Sequence, residues 1–236
     1  QPRIPCRSLA PAQKLTRMAF CLTLFQVVSG QEETTPQSVP ALKGVQVIEM
    51  VQDFRLLSKL EGLTNHVYGL AFSLDGTQLA AGDTDGFAVV WSFPSGKRLA
   101  SFSAALEEGE KVSIFHAMAF SHDGTLLFAG DDLGRVHIWD IRGKRRLKVI
   151  RAHGKKGDRK YRLAVDDLAL SPDGTSLATC GSDGQVRLWS VPDGKAIKTI
   201  RKHRRAVEGL AFTPDGQRLV VGDIDTRVLE ISLKDG

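Results

Sequence analysis

The residues whose side chains suit metal binding or catalysis do not form a recognised site in this sequence. The six histidines lack the spacing of a metal site; they are His66, His116, His122, His137, His153 and His203. The nucleophile, phosphate-binding and metalloprotease motifs GxSxG, GxxxxGK[ST] and HExxH are absent from the sequence. Acidic turns such as residues 82–86 (GDTDG) suggest calcium, but they lack the regular loop and terminal Glu of a calcium site. The sequence therefore predicts no catalytic residues, no metal and no cofactor.

Basic residues form the one unusual charged group. Residues 142–162 contain eleven Lys or Arg and a single Asp, a net charge of +10, whereas the whole chain has a net charge of +5. A second basic segment, residues 201–205, has the sequence RKHRR. Such a concentration of charge attracts acidic proteins or anionic polymers. The candidate binding residues are Arg151, Lys155, Lys156, Arg159, Lys160, Arg162, Arg201, Lys202, Arg204 and Arg205.

Two observations weigh against a stronger interpretation of this basic group. Tyr161 is the only aromatic residue between 153 and 163, whereas a surface that stacks nucleic-acid bases uses several. Nucleic acid is therefore not the favoured partner. Solvated loops and the outer strands of sheets also carry Lys and Arg, which protect strand edges from aggregation, so a purely structural role stays open.

The elements that carry these residues come from a pattern that repeats four times. In its clearest copy, residues 168–189, three short apolar stretches are separated by Ser-Pro-Asp-Gly and Ser-Asp-Gly. The Asp of the first turn recurs at intervals of 48, 50 and 42 residues; these residues are Asp75, Asp123, Asp173 and Asp215. Pro presets φ, Asp bonds its own backbone, and Gly accepts a positive φ. Short strands joined by such tight turns predict an antiparallel meander.

Over residues 44–236 the chain resembles the WD40 repeat family, because Trp91, Trp139 and Trp189 stand near the ends of successive third strands. The resemblance implies an all-β fold, a WD40 β-propeller made of four-stranded antiparallel blades. Three blades are full and two are partial: residues 44–60 match the third and fourth strands of one blade, and the last blade has three strands. A seven-bladed propeller would need about 290 residues at this repeat length. We therefore expect an incomplete arc, with closure into a small ring as the alternative.

The resemblance also implies a buried hydrogen-bonded set in each blade. Its members are a His before the first strand, a hydroxyl on the second strand, an Asp in the second turn, and the Trp. Only blade three has all four, whereas blade two has Leu133 at the Asp position. The residues expected to be structural are Trp91, Trp139, Trp189, Asp85, Asp183, Asp225, His153, Thr179 and His203. We expect blade three to be the most stable blade.

The first 43 residues differ in composition from the repeats. Residues 1–30 hold four basic residues and no acidic one, and residues 18–28 form an apolar run of 11. That run is too short to span a bilayer and predicts a secretory signal peptide. Residues 31–43 read as a linker before the propeller domain, residues 44–236. We therefore expect an exported protein, periplasmic or extracellular; a cytoplasmic protein is the alternative.

The function predicted from these features is a non-catalytic scaffold that binds other proteins. A protein partner with acidic character would dock on the basic group, and an anionic polymer is a further candidate ligand. Two alternatives stay open: a cytoplasmic assembly scaffold and an accessory propeller domain of a larger exported enzyme. Propellers host many functions, so the fold alone does not decide among them.

Overall fold

The computed structural model describes residues 57–105, 113–154, 163–201 and 203–234. All of them lie in one unit of the chain, Arg55–Gly236. Among the described residues there are fifteen strands and no helix. The strands are β1 (Val67–Phe72), β2 (Gln78–Asp83), β3 (Phe87–Ser92), β4 (Arg98–Ser103), β5 (Phe115–Phe120), β6 (Leu126–Asp131), β7 (Arg135–Asp140), β8 (Arg145–Arg151), β9 (Val165–Leu170), β10 (Ser176–Gly181), β11 (Gln185–Ser190), β12 (Ala196–Arg201), β13 (Val207–Phe212), β14 (Arg218–Asp223) and β15 (Val228–Ser232).

Consecutive strands form four antiparallel sheets, which we call blades one to four. Blades one, two and three each contain four strands in chain order, and blade four contains β13, β14 and β15. The predicted all-β fold of four-stranded antiparallel blades is confirmed. The predicted signal peptide, the predicted linker and residues 44–56 of the predicted partial blade lie outside the described residues. Residues 57–60, predicted as part of a strand, are not in one; Leu60 packs against the cluster that contains Trp91 instead.

The first turn of each blade explains why the Asp-Gly pairs recur. In blade one, Asp75 Oδ1 accepts hydrogen bonds from Ser73 Oγ at 2.6 Å and from the Thr77 backbone N at 3.0 Å. Gly76 follows with φ +69°, a conformation that glycine adopts without steric cost. These bonds hold the pKa of Asp75 below its usual value, the Ser73 bond first and the Thr77 bonds next.

Neighbouring blades pack closely along their first strands. β1 lies against β5, β5 against β9, and β9 against β13. Between blades one and two, the Phe102 ring stacks on Trp139 with centroids 5.0 Å apart. A Cβ atom on Gly82 would stand 2.8 Å from Phe115 Cβ, so the glycine permits this close approach. Large apolar side chains shared between blades therefore form the core.

Candidate functional site

Blade three contains a continuous chain of buried hydrogen bonds. The Trp189 Nε1–H donates to Thr179 Oγ1 at 3.0 Å, and Thr179 Oγ1 lies 3.0 Å from His153 Nε2. His153 Nδ1 lies 2.8 Å from Asp183 Oδ1. With the His153 proton on Nδ1, each donor in this chain meets one acceptor. The structure thus brings together the four residues that the sequence singled out in this blade.

The electrostatics of this chain favour a neutral histidine beside an ionised carboxylate. Burial lowers the pKa of His153, although the bond to Asp183 acts in the opposite direction. Burial alone would raise the pKa of Asp183, but His153 and Arg187 outweigh it and hold the pKa well below the usual value. Arg187 Nη1 stands 2.9 Å from Asp183 Oδ2. Asp183 therefore keeps its charge at lower pH than an ordinary aspartate does.

This chain also fixes the start of the connection that leads from β8 to β9. The Gly154 N–H points at Asp183 Oδ2 at 3.3 Å. A Cβ atom on Gly181 would stand 2.2 Å from the Ala164 carbonyl oxygen and 3.1 Å from the His153 ring. Gly181 therefore provides the space that His153 occupies.

Blade two provides hydrogen bonds to the polar groups buried beside its second turn with different residues. Leu133, at the expected Asp position, is 42% exposed, and the fully buried Asp131 lies two residues earlier. Asp131 Oδ2 accepts from Arg135 Nε at 2.6 Å and from Ser113 Oγ at 2.9 Å. His137 Nε2 lies 3.0 Å from the same oxygen. Burial opposes ionisation of Asp131, but His137 and Arg135 hold its pKa below the usual value.

Trp139 in blade two sits in the core without the hydroxyl partner that blade three supplies. Its indole stacks on the His137 ring, with centroids 5.2 Å apart and an interplanar angle of 16°. The Phe115 ring meets its edge at 5.5 Å. Burial lowers the pKa of His137, which the bond to Asp131 only partly offsets. His137 is thus a neutral core residue in this blade.

In blade four the structure corrects the predicted partner of His203. Its Nδ1 lies 2.8 Å from Oδ2 of the buried Asp223, and not beside Asp225. Asp225 is at the surface, where its carboxylate contacts Arg227 at 3.3 Å and Arg205 at 3.5 Å. The bond from His203, followed by those from Arg227, holds the pKa of Asp223 below its usual value. The two aspartates differ because Asp223, at the start of the second turn, is buried, whereas Asp225, two residues later, is exposed.

In blade one the half-buried acid of the second turn bonds to residues that precede the first strand of the same blade. Asp85 Oδ1 accepts from Asn65 Nδ2 at 3.0 Å. Asp83, at the position of Asp131 and Asp223, is fully buried. Trp91 Nε1 donates to the backbone oxygen of Glu61 at 3.0 Å. No histidine takes part in these bonds of blade one.

The burial of three acids was not predicted from the sequence: Asp83, Asp131 and Asp223. Each follows a glycine and opens the second turn, whereas blade three has Gly181 at this position. The repeated Gly-Asp pair was the available signal. Its importance was hidden because an Asp in a turn is usually exposed.

The described basic candidates Arg151, Arg204 and Arg205 lie at the end of the blades where the connections between blades meet the second turns. Backbone bonds join each second turn to the residue before the first strand, such as Ser182 N to Ala164 O at 3.2 Å and Ile224 N to Ala206 O at 3.2 Å. We call the surface formed at this end by residues 151–154, 163–164 and 203–206 the connection face. Because β9 packs against β13, the connections that precede them lead into neighbouring strands.

Three of the candidate cations on the connection face can be placed. Arg151, Arg204 and Arg205 are exposed, and Arg205 Nη1 stands 3.5 Å from Asp225 Oδ1. The other candidates lie outside the described residues or, for Arg201, have no described side chain: Lys155, Lys156, Arg159, Lys160, Arg162, Arg201 and Lys202. The acids Asp131 and Asp132 of a second turn at this end are engaged within the fold, Asp131 in its buried cluster and Asp132 by the Ile114 N–H at 3.0 Å.

The described residues contain neither a group of metal ligands nor a membrane-spanning helix. Within the ranges given above, no group of three or more His, Cys, Asp or Glu side chains is arranged to hold a metal ion. The same part of the chain contains no helix with the length and apolar character needed to cross a membrane. The side chain of Cys180 is buried in the core.

Sequence comparison finds the same repeats in known proteins. The family model described as "WD domain, G-beta repeat" (WD40) matches residues 54–92, 94–140, 145–190 and 194–229. The chain is 37% identical over 89 residues to WD repeat-containing protein 1 from Gallus gallus, a match that covers 34% of the chain and 14% of that protein. It is 40% identical over 60 residues to eukaryotic translation initiation factor 3 subunit I from Aspergillus oryzae, covering 25% of the chain and 18% of that protein.

A bacterial relative shows the same partial coverage. An uncharacterized WD repeat-containing protein from Synechocystis sp. is 34% identical over 61 residues, which is 25% of the chain and 18% of that protein. The chain thus spans less than a fifth of the length of each of these three relatives.

Proposed function

Because the chain belongs to the WD40 family, we propose that it is a non-catalytic scaffold that binds an acidic segment of a partner protein on the connection face. The observation that carries the proposal is the exposure of Arg151, at the end of β8, and of Arg204 and Arg205, on the connection into β13. The connection that follows β8 leads into β9, which packs against β13. Neighbouring cations on one surface raise the local potential and attract acidic chains.

The ion pair at the rim of this face leaves its cation available to a partner. Arg205 is 65% exposed and lies 3.5 Å from Asp225, which is 34% exposed. An exposed pair of this kind contributes about 0–1 kcal/mol. A carboxylate from a partner can therefore replace Asp225 at little cost.

The anchoring of His153 supports the same proposal. Its bonds to Thr179 and Asp183 fix the residue that precedes the basic residues 155–162. A binding loop held at its root by a rigid blade loses less conformational entropy on binding than a free loop does. Blade three is therefore the frame for the proposed site.

A second function is favoured by one relative. Translation initiation factor 3 subunit I is by its name a subunit of a larger assembly. A cytoplasmic assembly scaffold would use the same fold without export. The proposed export rests on the apolar run 18–28 and the preceding basic residues, and reading the N-terminus of the natural protein from fractionated cells separates the two proposals.

The proposal is tested with two variants of equal charge change. In the first, the connection-face variant, Lys155, Lys156, Arg159 and Lys160, which in sequence lie between the two described segments 151–154 and 163–164 of the connection face, are all replaced by Ser. The second variant is the control. In it, Ser replaces four exposed cations in the third turns, which join the third and fourth strands at the opposite ends of the blades: Lys97, Arg142, Lys144 and Lys195.

Retention of both variants is measured on immobilised poly-glutamate and on a sulfated polysaccharide. The connection-face variant should elute at lower salt with a flatter salt dependence, whereas the control should elute near the unmodified chain. Equal shifts for the two variants would show that only net charge matters and would remove the proposed site. A loss on the polysaccharide alone would assign the face to an anionic polymer instead of a protein.

A further inference from the structure

The second turn of blade two presents an apolar side chain where the other blades have an acid. Leu133 is 42% exposed. In each of the other three blades an aspartate stands at this position and contacts a residue before the first strand of the same blade. These pairs are Asp85 with Asn65, Asp183 with His153, and Asp225 with Arg205. A leucine side chain cannot make such a polar contact.

Blade two fastens the connection before its first strand through other residues of the turn. Asp131 Oδ2 accepts a hydrogen bond from Ser113 Oγ at 2.9 Å, and Asp132 Oδ1 accepts one from the Ile114 N–H at 3.0 Å. The fold of blade two therefore does not depend on the Leu133 side chain. A residue that departs from a repeated pattern without stabilising the fold is expected at a functional position.

The turn places Leu133 beside both ends of the basic connection between β8 and β9. The Gly134 carbonyl oxygen accepts the backbone N–H groups of Ala152 at 2.8 Å and of His153 at 2.9 Å. A Cβ atom on Gly134 would stand 2.5 Å from the Leu163 carbonyl oxygen and closer still to that of His153. Both described segments of this connection thus lie against the residue that follows Leu133. The exposed leucine adjoins the connection face.

Hydrogen bonds hold the backbone of Leu133 in place next to a cation. The Leu133 N–H donates to Asp131 Oδ1 at 3.0 Å, and Asp131 is itself bound by Arg135. Arg135 lies directly opposite the exposed Arg151 in the pairing of β7 with β8. A surface whose backbone is already ordered loses less conformational entropy on binding. Blade two therefore offers an apolar contact and a cation on ordered backbone.

We propose that the acidic segment bound by the connection face carries a large apolar side chain, Phe or Leu, which packs on Leu133 while a neighbouring carboxylate contacts Arg151. The inference rests on the proposed function, because the cations of the connection face bring the acidic segment to this end of the blades. Contact between the two apolar side chains removes both from water. An apolar anchor within a polar rim carries much of the binding energy of an interface. A wholly acidic segment should therefore bind more weakly.

The test uses the full 236-residue chain and two fluorescent nine-residue peptides of glutamate, one with a central Phe and the other with a central Ser. Fluorescence anisotropy should show that the Phe peptide binds about tenfold more tightly. Leu133→Ala should reduce this preference to about twofold or less without changing the affinity for the Ser peptide. Leu147→Ala is the matched control, because Leu147 is 45% exposed and lies on β8 near its third-turn end; it should keep the full preference.

A conservative variant and a charge variant complete the test. Leu133→Met keeps an apolar side chain of similar size and should retain the preference for the Phe peptide. A triple variant, in which Ser replaces Arg151, Arg204 and Arg205, should weaken the binding of both peptides by the same factor, because it removes charge alone. Thermal unfolding confirms that each variant is folded.

The outcomes separate this inference from the proposed function. Equal affinity of the unmodified chain for the two peptides, or equal effects of Leu133→Ala and Leu147→Ala, would overturn the inference. The proposed function would stand in that case if the triple variant still weakened the binding of both peptides. Absence of binding by either peptide, or a triple variant that changes neither affinity, would overturn the proposed function and the inference with it.

Discussion

Blades two and three face the same physical problem and solve it differently. Each must provide hydrogen-bond partners for polar groups buried beside the second turn. Blade three uses a chain of mostly neutral groups from Trp189 to Asp183, and the carboxylate at its end is 15% exposed. Blade two uses the fully buried Asp131, bound by Arg135, which is 3% exposed. The two blades differ in the residue that begins the second turn. Gly181 of blade three leaves room for the His153 ring, whereas in blade two the Asp131 side chain lies at that position.

This difference teaches that the family pattern describes one of several ways to satisfy the blade. Blade four combines both, because Asp223 opens the turn and still bonds His203 from the connection. The hydroxyl position is occupied by Val221 in this blade, and His203 Nε2 is buried without a hydrogen-bond partner. The repeats therefore keep a buried acid near the turn and exchange its partners.

The largest expected effect is at Asp131. Replacing it with Ala leaves the Arg135 guanidinium buried without its carboxylate, which costs about 3–5 kcal/mol of unfolding free energy. Urea denaturation measures the loss. The control Asp193→Ala removes a carboxylate whose side chain is 58% exposed and should change stability by about 0.5 kcal/mol or less. Equal losses in the two variants would show that the buried cluster of blade two is unimportant.

The role of Gly181 is tested by adding one methyl group. Gly181→Ala places a Cβ atom against the Ala164 carbonyl and the His153 ring, and we expect a loss of about 1–3 kcal/mol. Gly222→Ala is the matched control, because its Cβ atom would meet no atom of the described residues within 4 Å. Thermal unfolding of both variants checks the comparison. A harmless Gly181→Ala would mean that the packing of His153 and Ala164 does not depend on a glycine at this position.

The tryptophans offer a smaller test of the same comparison. Trp189→Phe removes the donor to Thr179 in the buried chain, whereas Trp91→Phe removes a donor to the part-buried carbonyl oxygen of Glu61. We expect the first substitution to cost about 1–3 kcal/mol and the second less, because a buried group that loses its partner is costlier than one near water. Equal losses on urea unfolding would contradict a special role for blade three.

The smallest effect is on the pH dependence of stability. The pKa values of His137 and His153 are lowered in the folded chain, mainly by burial. The unfolded chain therefore binds more protons as the pH falls below the ordinary histidine value of 6.5, and stability decreases there. The lowered pKa values of Asp131 and Asp183 add a further loss as the pH falls below 3.8. Unfolding midpoints at pH 7.5 and 5.5 should differ less in His137→Asn than in the unmodified chain; an unchanged difference would rule out His137 as a contributor.

The blades were predictable from sequence because their signals are local. The turns around Asp75, Asp123, Asp173 and Asp215 are encoded by three or four adjacent residues, and strand alternation follows from them. The blade-three chain could be proposed because all four residues match the family pattern. Asp131, Asp223 and the partners they recruit could not, since their importance depends on burial between elements far apart in sequence. Whether a basic loop binds a partner is likewise a property of the surface that the loop forms.

Hydrogen exchange of the full chain, with and without a soluble poly-glutamate peptide, tests the central claim most directly. The proposed function predicts slowed exchange in residues 151–154, 163–164 and 203–206 of the connection face, and unchanged exchange in the third turns, residues 93–97, 141–144 and 191–195. Protection of the third turns, or equal protection at both ends of the blades, would contradict the connection face as the binding surface.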